Sequence, residues 1–149
     1  NLVDWEEKEA LDLFAGTGSI SFELLSRGCS QVTSVEMNAK HASFILKVAK
    51  DLKIRDELIL VRMDVLRLLQ SKHPRSYDLI FADPPYQMKE LAEIPRLLLA
   101  GDWLREEGIL VMEHPATYDF SDLPYFKQHR VYGSVNFSLF IKEEERKDA

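Results

Sequence analysis

The sequence has one cysteine, Cys29, in 149 residues. That excludes an internal disulfide and a cysteine-rich zinc site, and it fits a reducing, cytoplasmic compartment. No apolar run approaches the roughly 20 residues that a membrane-spanning helix needs, and no signal-peptide pattern opens the chain. Repeats, low-complexity tracts and a Pro/Gly/Ser linker are missing as well, so residues 1–149 read as one domain. No His/Cys cluster has ligand spacing, and no metal is expected. Positive charge is also scarce: 19 Lys and Arg against 25 Asp and Glu leave a formal charge of −6. By itself that balance speaks against broad electrostatic binding of nucleic acid. What is present is a 46% apolar, 30% charged composition, enough for a globular core without staples. The chain opens at Asn1 rather than Met, so a native segment is expected to precede it.

Strand-like and helix-like segments alternate, which predicts βαβ units and a mostly parallel sheet with helices on both faces. Strands are expected at Ala10–Phe14, Gln31–Glu36, Leu58–Val61, Tyr77–Ala82 and Gly108–Glu113. Helices are expected at Ser19–Arg27, stopped by Gly28, at Val65–Gln70 and within Lys89–Leu99. Asn38 can cap a further helix, in which Ala42, Ile45, Leu46, Ala49 and Leu52 recur at helical spacing. Near the end, Phe126–Tyr132 and Val135–Ile141 flank Gly133 and Ser134, the spacing of a tight antiparallel hairpin. The expected architecture is seven-stranded and Rossmann-like: five parallel strands closed by an antiparallel pair.

Asp12-Leu-Phe-Ala-Gly16-Thr-Gly18-Ser19 follows the first strand and opens the first helix. Ligands of doubly wound sheets bind outside the carboxyl ends of the strands, and glycine there allows a sharp turn and a close approach. The third glycine of a dinucleotide fingerprint would fall at Ser21, and the lysine of a P-loop is missing. A ligand without a pyrophosphate therefore fits better. Glu36 ends the second strand, where a carboxylate can accept hydrogen bonds from both ribose hydroxyls of a nucleoside. Asp64 ends the third strand; it could contact an adenine amine, cap the helix that follows, or do both.

Asp83-Pro84-Pro85-Tyr86 follows the fourth strand. Two prolines stiffen the turn and remove two backbone donors, leaving carbonyl acceptors and the Asp83 carboxylate. Such a surface suits a group with two N–H donors, namely an exocyclic amine. Tyr86 adds a flat face for a base to stack on, worth about 1–3 kcal/mol.

Taken together, DLFAGTGSISFELLSRG, VEMN and DLIFADPPY resemble the RsmD family, within the S-adenosylmethionine-dependent class I methyltransferases that modify amino groups. Members methylate the N2 amine of a guanine in 16S rRNA, in the small ribosomal subunit or an assembly intermediate. The resemblance runs from about Ala10 to Glu113, and the terminal hairpin suits the family's sheet edge. It implies that Asp12, Gly16 and Gly18, with Phe14, Ala15 and Thr17 between them, hold the methionine end of the cofactor. It implies further that Glu36 and Met37 meet its ribose, that Asp64 and Val65 meet its adenine, and that Asp83 lies beside it. Asp83, Pro84, Pro85 and Tyr86 would grip and stack the target base. A monomer is the expected state. Members usually carry a basic segment before the first strand, and this chain starts too close to that strand to include one.

Two other readings stay open on these residues. One is a DNA N6-adenine methyltransferase, and the other is a non-catalytic nucleotide-binding or assembly module. His114, at the end of the fifth strand, could touch substrate or be a loop residue. Cys29 lacks a nucleophile's setting, and Lys47, Lys50, Lys53 and Arg55 read as a solvated helix face. Trp103 and Phe126 read as core, and the Glu143–Arg146 charge run reads as a frayed tail.

Overall fold

The protein is described from a computed structural model, which covers residues 4–72 and 75–143. Seven strands form one sheet: β1 (Glu9–Leu13), β2 (Gln31–Val35), β3 (Leu58–Val61), β4 (Tyr77–Ala82), β5 (Leu104–His114), β6 (Phe126–Tyr132) and β7 (Val135–Ile141). Their spatial order is β3-β2-β1-β4-β5-β7-β6. The first five are parallel neighbours, while β7 pairs antiparallel with both β5 and β6. This is the expected architecture. Its helices are α1 (Ser19–Ser26), α2 (Ala39–Asp51), α3 (Val65–Gln70) and α4 (Glu93–Ala100). Among the described residues, no helix is long and apolar enough to cross a membrane.

The central strands are apolar because both of their faces are covered. Ala10, Leu11, Leu13, Val32, Val35, Ile80 and Ala82 are buried there. Trp103 is buried in the core as expected, and Phe126 packs at its edge. Asn38 caps α2, its side-chain oxygen accepting from the His41 N–H at 3.0 Å. Gly133 has φ 60° at the first position of a two-residue hairpin turn, a conformation that favours glycine. The outer strand β6 is largely exposed and carries Lys127, His129 and Arg130, charged chemistry that discourages edge-to-edge pairing. Of the terminal charge run, residues 144–146 lie outside the described residues.

Most boundaries fall within a residue of expectation, and two of the differences have a structural reason. Phe14 leaves β1 at φ 61°, because the chain must turn there toward the glycine loop. β5 begins four residues early, at Leu104. Its register against β4 jumps from Tyr77↔Leu104 to Leu79↔Ile109, so the inserted residues bulge out. Glu107 turns left-handed there at φ 65°. A Cβ on Gly108 would stand 2.7 Å from the Arg105 carbonyl oxygen, too close for any larger residue. The bulge lets Arg105 reach across the amino ends of β1 and β4, to Glu9 and Asp78 at 3.0 Å each.

The parallel register aligns the far ends of the strands. Val61, Val35, Leu13, Ala82 and Met112 form one row across the sheet. One residue beyond that row stand Glu36, Phe14, Asp83 and Glu113. The functional side chains are thus gathered by pairing, though they lie far apart in sequence.

Candidate active site

A cleft of about 920 Å³ opens over this row. Of the expected site residues, Phe14, Gly16, Glu36, Met37, Asp64, Val65, Asp83, Pro84, Pro85 and Tyr86 line it. Asp12, Ala15, Thr17 and Gly18 do not. Asn38, singled out from the sequence only as a helix cap, also lines the cleft, as do His41, Met63, Leu66, Met88 and Glu90, which sequence reasoning passed over.

The glycine loop is built from below. Asp12 is buried, and its carboxylate accepts the Ser21 hydroxyl at 2.6 Å. Ser21 also meets the Ser34 hydroxyl at 2.6 Å. Since Ser21 has one proton and gives it to Asp12, Ser34 must donate to Ser21. The residue that broke the dinucleotide fingerprint is therefore the one that ties the loop's helix to β1 and β2. Burial pushes the Asp12 carboxyl up to about 6, despite the Ser21 bonds, and the nearby Glu36 charge adds to the rise.

The two glycines do different work. Gly18 has φ 87°, and a Cβ there would lie 2.9 Å from the Phe22 ring and 3.0 Å from Ile45. Its smallness serves the packing of α1 on α2. Gly16, at φ 59°, has nothing within 4 Å of where a Cβ would stand. That open space faces the cleft, so Gly16 is the glycine that leaves room for a ligand.

Glu36 is held by two backbone donors: Gly16 N–H to Oε1 at 2.7 Å and Asn38 N–H to Oε2 at 2.8 Å. Each oxygen keeps a further lone pair for a hydroxyl. Asp64 is the N-cap of α3, accepting from the Arg67 N–H at 3.1 Å, and it also faces the cleft. Both roles weighed for it from the sequence are thus compatible.

At the proline turn, the Pro85 carbonyl is taken by the Met88 N–H at 3.0 Å. The Pro84 carbonyl and the Asp83 carboxylate remain as acceptors. Asp83 is pushed up to about 7, by desolvation first and then by the hydrogen bond and charge of Glu113, with Asp12 adding a smaller share. Tyr86 is 42% exposed, and its hydroxyl donates to Glu113 Oε2 at 3.0 Å. Sequence reasoning passed over Glu113. The available signal was its position at the carboxyl end of a strand beside the proline turn, the same rule that selected Glu36 and Asp64.

His114 points the other way. It is fully buried, with Nδ1 2.8 Å from the Pro115 carbonyl and Nε2 2.7 Å from the Ser138 hydroxyl. A carbonyl can only accept, so Nδ1 carries the proton and Ser138 donates to Nε2. Burial lowers its pKa, which keeps the ring neutral. Neither sequence reading, substrate contact or loop residue, describes it: His114 is the last residue of β5 and its ring is in the core.

Among the described residues, the cleft wall carries four carboxylates, from Glu36, Asp64, Asp83 and Glu90, and neither Lys nor Arg. A pyrophosphate would be repelled there, whereas a cationic ligand rich in hydroxyl and amine donors is favoured.

A family model described as "Conserved hypothetical protein 95" matches residues 2–141. The chain belongs to this family. Among its relatives, the ribosomal RNA small subunit methyltransferase D of Escherichia coli is 26% identical over 142 residues, covering 93% of this chain and 71% of the relative. A solved structure of the candidate methylase HI0767 from Haemophilus influenzae superposes with a TM-score of 0.84 at 28% identity, covering 93% of this chain and 89% of that one. A candidate methyltransferase solved in complex with SAH shares the fold, with a TM-score of 0.75 at 18% identity over 91% of this chain and 45% of that one. The sheet order and these likenesses make the domain a Rossmann-like class I methyltransferase fold.

Proposed function

We propose that the protein transfers a methyl group from S-adenosylmethionine to the exocyclic N2 amine of a guanine in small-subunit ribosomal RNA. The observation that carries this reading is one cleft joining a carboxylate-lined wall, with no Lys or Arg among the described residues, to the acceptor turn Asp83–Tyr86. The residues present fit the cofactor. Gly16 leaves the room, Glu36 has lone pairs for the ribose hydroxyls, and Asp64 faces the adenine side with Met37, Met63 and Val65 as apolar walls. The negative wall suits a sulfonium cation.

When bound, the cofactor supplies an electrophilic methyl group. The work left to the chain is alignment and charge control. A guanine amine is a weak nucleophile because its lone pair is delocalised into the ring. Asp83 and the Pro84 carbonyl accept its two N–H groups, which favours the pyramidal, nucleophilic form as positive charge develops on nitrogen. Tyr86 stacks on the extruded base, offsetting the few kcal/mol that extrusion costs. Relatives named ribosomal RNA small subunit methyltransferase D support the small-subunit RNA assignment, and the acceptor turn supports an amine as the target.

The direct test is transfer of labelled methyl from S-adenosylmethionine to small ribosomal subunits that lack the modification. Label on a guanine N2 is the expected result. Transfer to DNA adenine instead, or none to either, overturns the proposal.

A further inference from the structure

We propose that Glu113 is a positioning residue that shares one proton with Asp83 and anchors Tyr86, so that this carboxylate pair takes up the proton the methylated amine must lose. The inference deepens the function proposed above and rests on it. Three observations carry it. The β4–β5 register ends at Ala82↔Met112, so Asp83, the first residue past β4, and Glu113, the next residue of β5, each follow that last pair. After desolvation, Glu113 is the neighbour that raises the Asp83 carboxyl most. The same Glu113 accepts the Tyr86 hydroxyl at 3.0 Å. One carboxylate thus touches both the proposed amine acceptor and the proposed stacking ring.

Two carboxylates in contact cannot both ionise freely, so they hold a proton between them. The groups facing Asp83 give it no other relief. Asp12 lies beneath it on β1, Glu90 stands across the cleft, and Tyr86 is already given to Glu113. His114, the next residue on β5, turns its ring to Ser138 on the opposite face. The bonding is simple to state. After methylation the nitrogen is cationic. One N–H bond breaks, its electron pair stays on nitrogen, and an O–H bond forms at Asp83. That new O–H then donates to Glu113. Before substrate binds, the pair must lose its shared proton for Asp83 to act as an acceptor, so activity rises with pH.

The test combines ¹³C-carboxyl NMR titration with single-turnover transfer to unmodified small subunits, for the unmodified protein, Glu113→Gln and Tyr86→Phe. Asp83→Asn identifies the Asp83 resonance. Glu113→Gln keeps the shape but removes the charge. It is expected to lower the Asp83 titration by about one pH unit or more and to move the acid limb of the transfer profile by the same amount, with KM for the subunits nearly unchanged. Tyr86→Phe is expected to slow transfer severalfold while leaving the Asp83 titration in place. An Asp83 titration unmoved by Glu113→Gln overturns the shared proton. A shifted titration in a protein that never methylates ribosomal subunits supports the pair and overturns the function, so the two failures are distinct.

Discussion

At the amino end of the parallel strands, Glu9 and Asp78 share the Arg105 guanidinium at 3.0 Å each, and Asp78 also accepts the Glu9 N–H at 2.9 Å. At the carboxyl end, the cleft wall holds four carboxylates and, among the described residues, no Lys or Arg. The two ends carry the same residue type under opposite conditions. At the first, negative charge is neutralised and partly exposed, and the side chains clamp the β5 bulge to the sheet. At the second, negative charge is crowded, and Asp12 and Asp83 are forced toward their neutral forms. Phe14 adds a left-handed backbone at φ 61°, a conformation that costs of order 1–3 kcal/mol in a bulky residue. Left-handed backbone does not separate the two ends, since Glu107 turns at φ 65° in the bulge at the amino end; like-charge crowding does, and it marks the carboxyl end as the candidate ligand site.

The largest effect should come from removing the acceptor. Asp83→Ala is expected to cut methyl transfer by at least about a hundredfold. It should also raise the midpoint of thermal unfolding at pH 8, because a carboxylate held against its neighbours is gone. Losing both activity and stability together would erase the contrast between the two ends.

Glu36→Ala comes next. It removes two charge-assisted hydrogen bonds to ribose, and it frees the Gly16 N–H. Affinity for S-adenosylmethionine, read by isothermal titration, should fall roughly 10- to 100-fold. Unchanged affinity would place the cofactor elsewhere.

Asp12 sharpens the comparison through pH. Its carboxyl is raised from 3.8 to about 6, so the folded protein binds a proton there that the unfolded chain has released. That contribution is full below about pH 4 and is lost as pH rises through about 6. Asp12→Asn should therefore remove a decline in stability of order 2 kcal/mol between pH 4 and pH 7, measured by urea unfolding across that range.

The smallest effect belongs to the amino end. Arg105→Ala should cost about 1 kcal/mol, since the guanidinium is 37% exposed and solvent screens its ion pairs. Cofactor affinity should not change. A large loss of affinity would mean that the two ends are coupled.

The sequence was legible where one local rule decided the outcome. The strand–helix alternation, the hairpin at Gly133 and the capping by Asn38 all follow from neighbours in the chain. The cleft residues Gly16, Glu36, Asp83 and Tyr86 were found because a turn or a strand end announces each of them. Less legible were features set by distant pairing. The early start of β5 depends on a bulge that brings Arg105 to Glu9 and Asp78, 96 and 27 residues away in sequence. Gly18 looked like a ligand contact in sequence, yet Phe22 and Ile45 explain its smallness.

By itself, the sequence determined the order of elements, the absence of a phosphate-binding loop and the stiff proline turn Asp83–Tyr86, since each rests on backbone chemistry within a few residues. Only the tertiary structure decided which acids meet. Parallel register put Glu113 beside Asp83 and turned His114 into the core, because successive residues of a strand face opposite sides of the sheet. A one-residue shift in that pairing would exchange the two, and no local pattern encodes it.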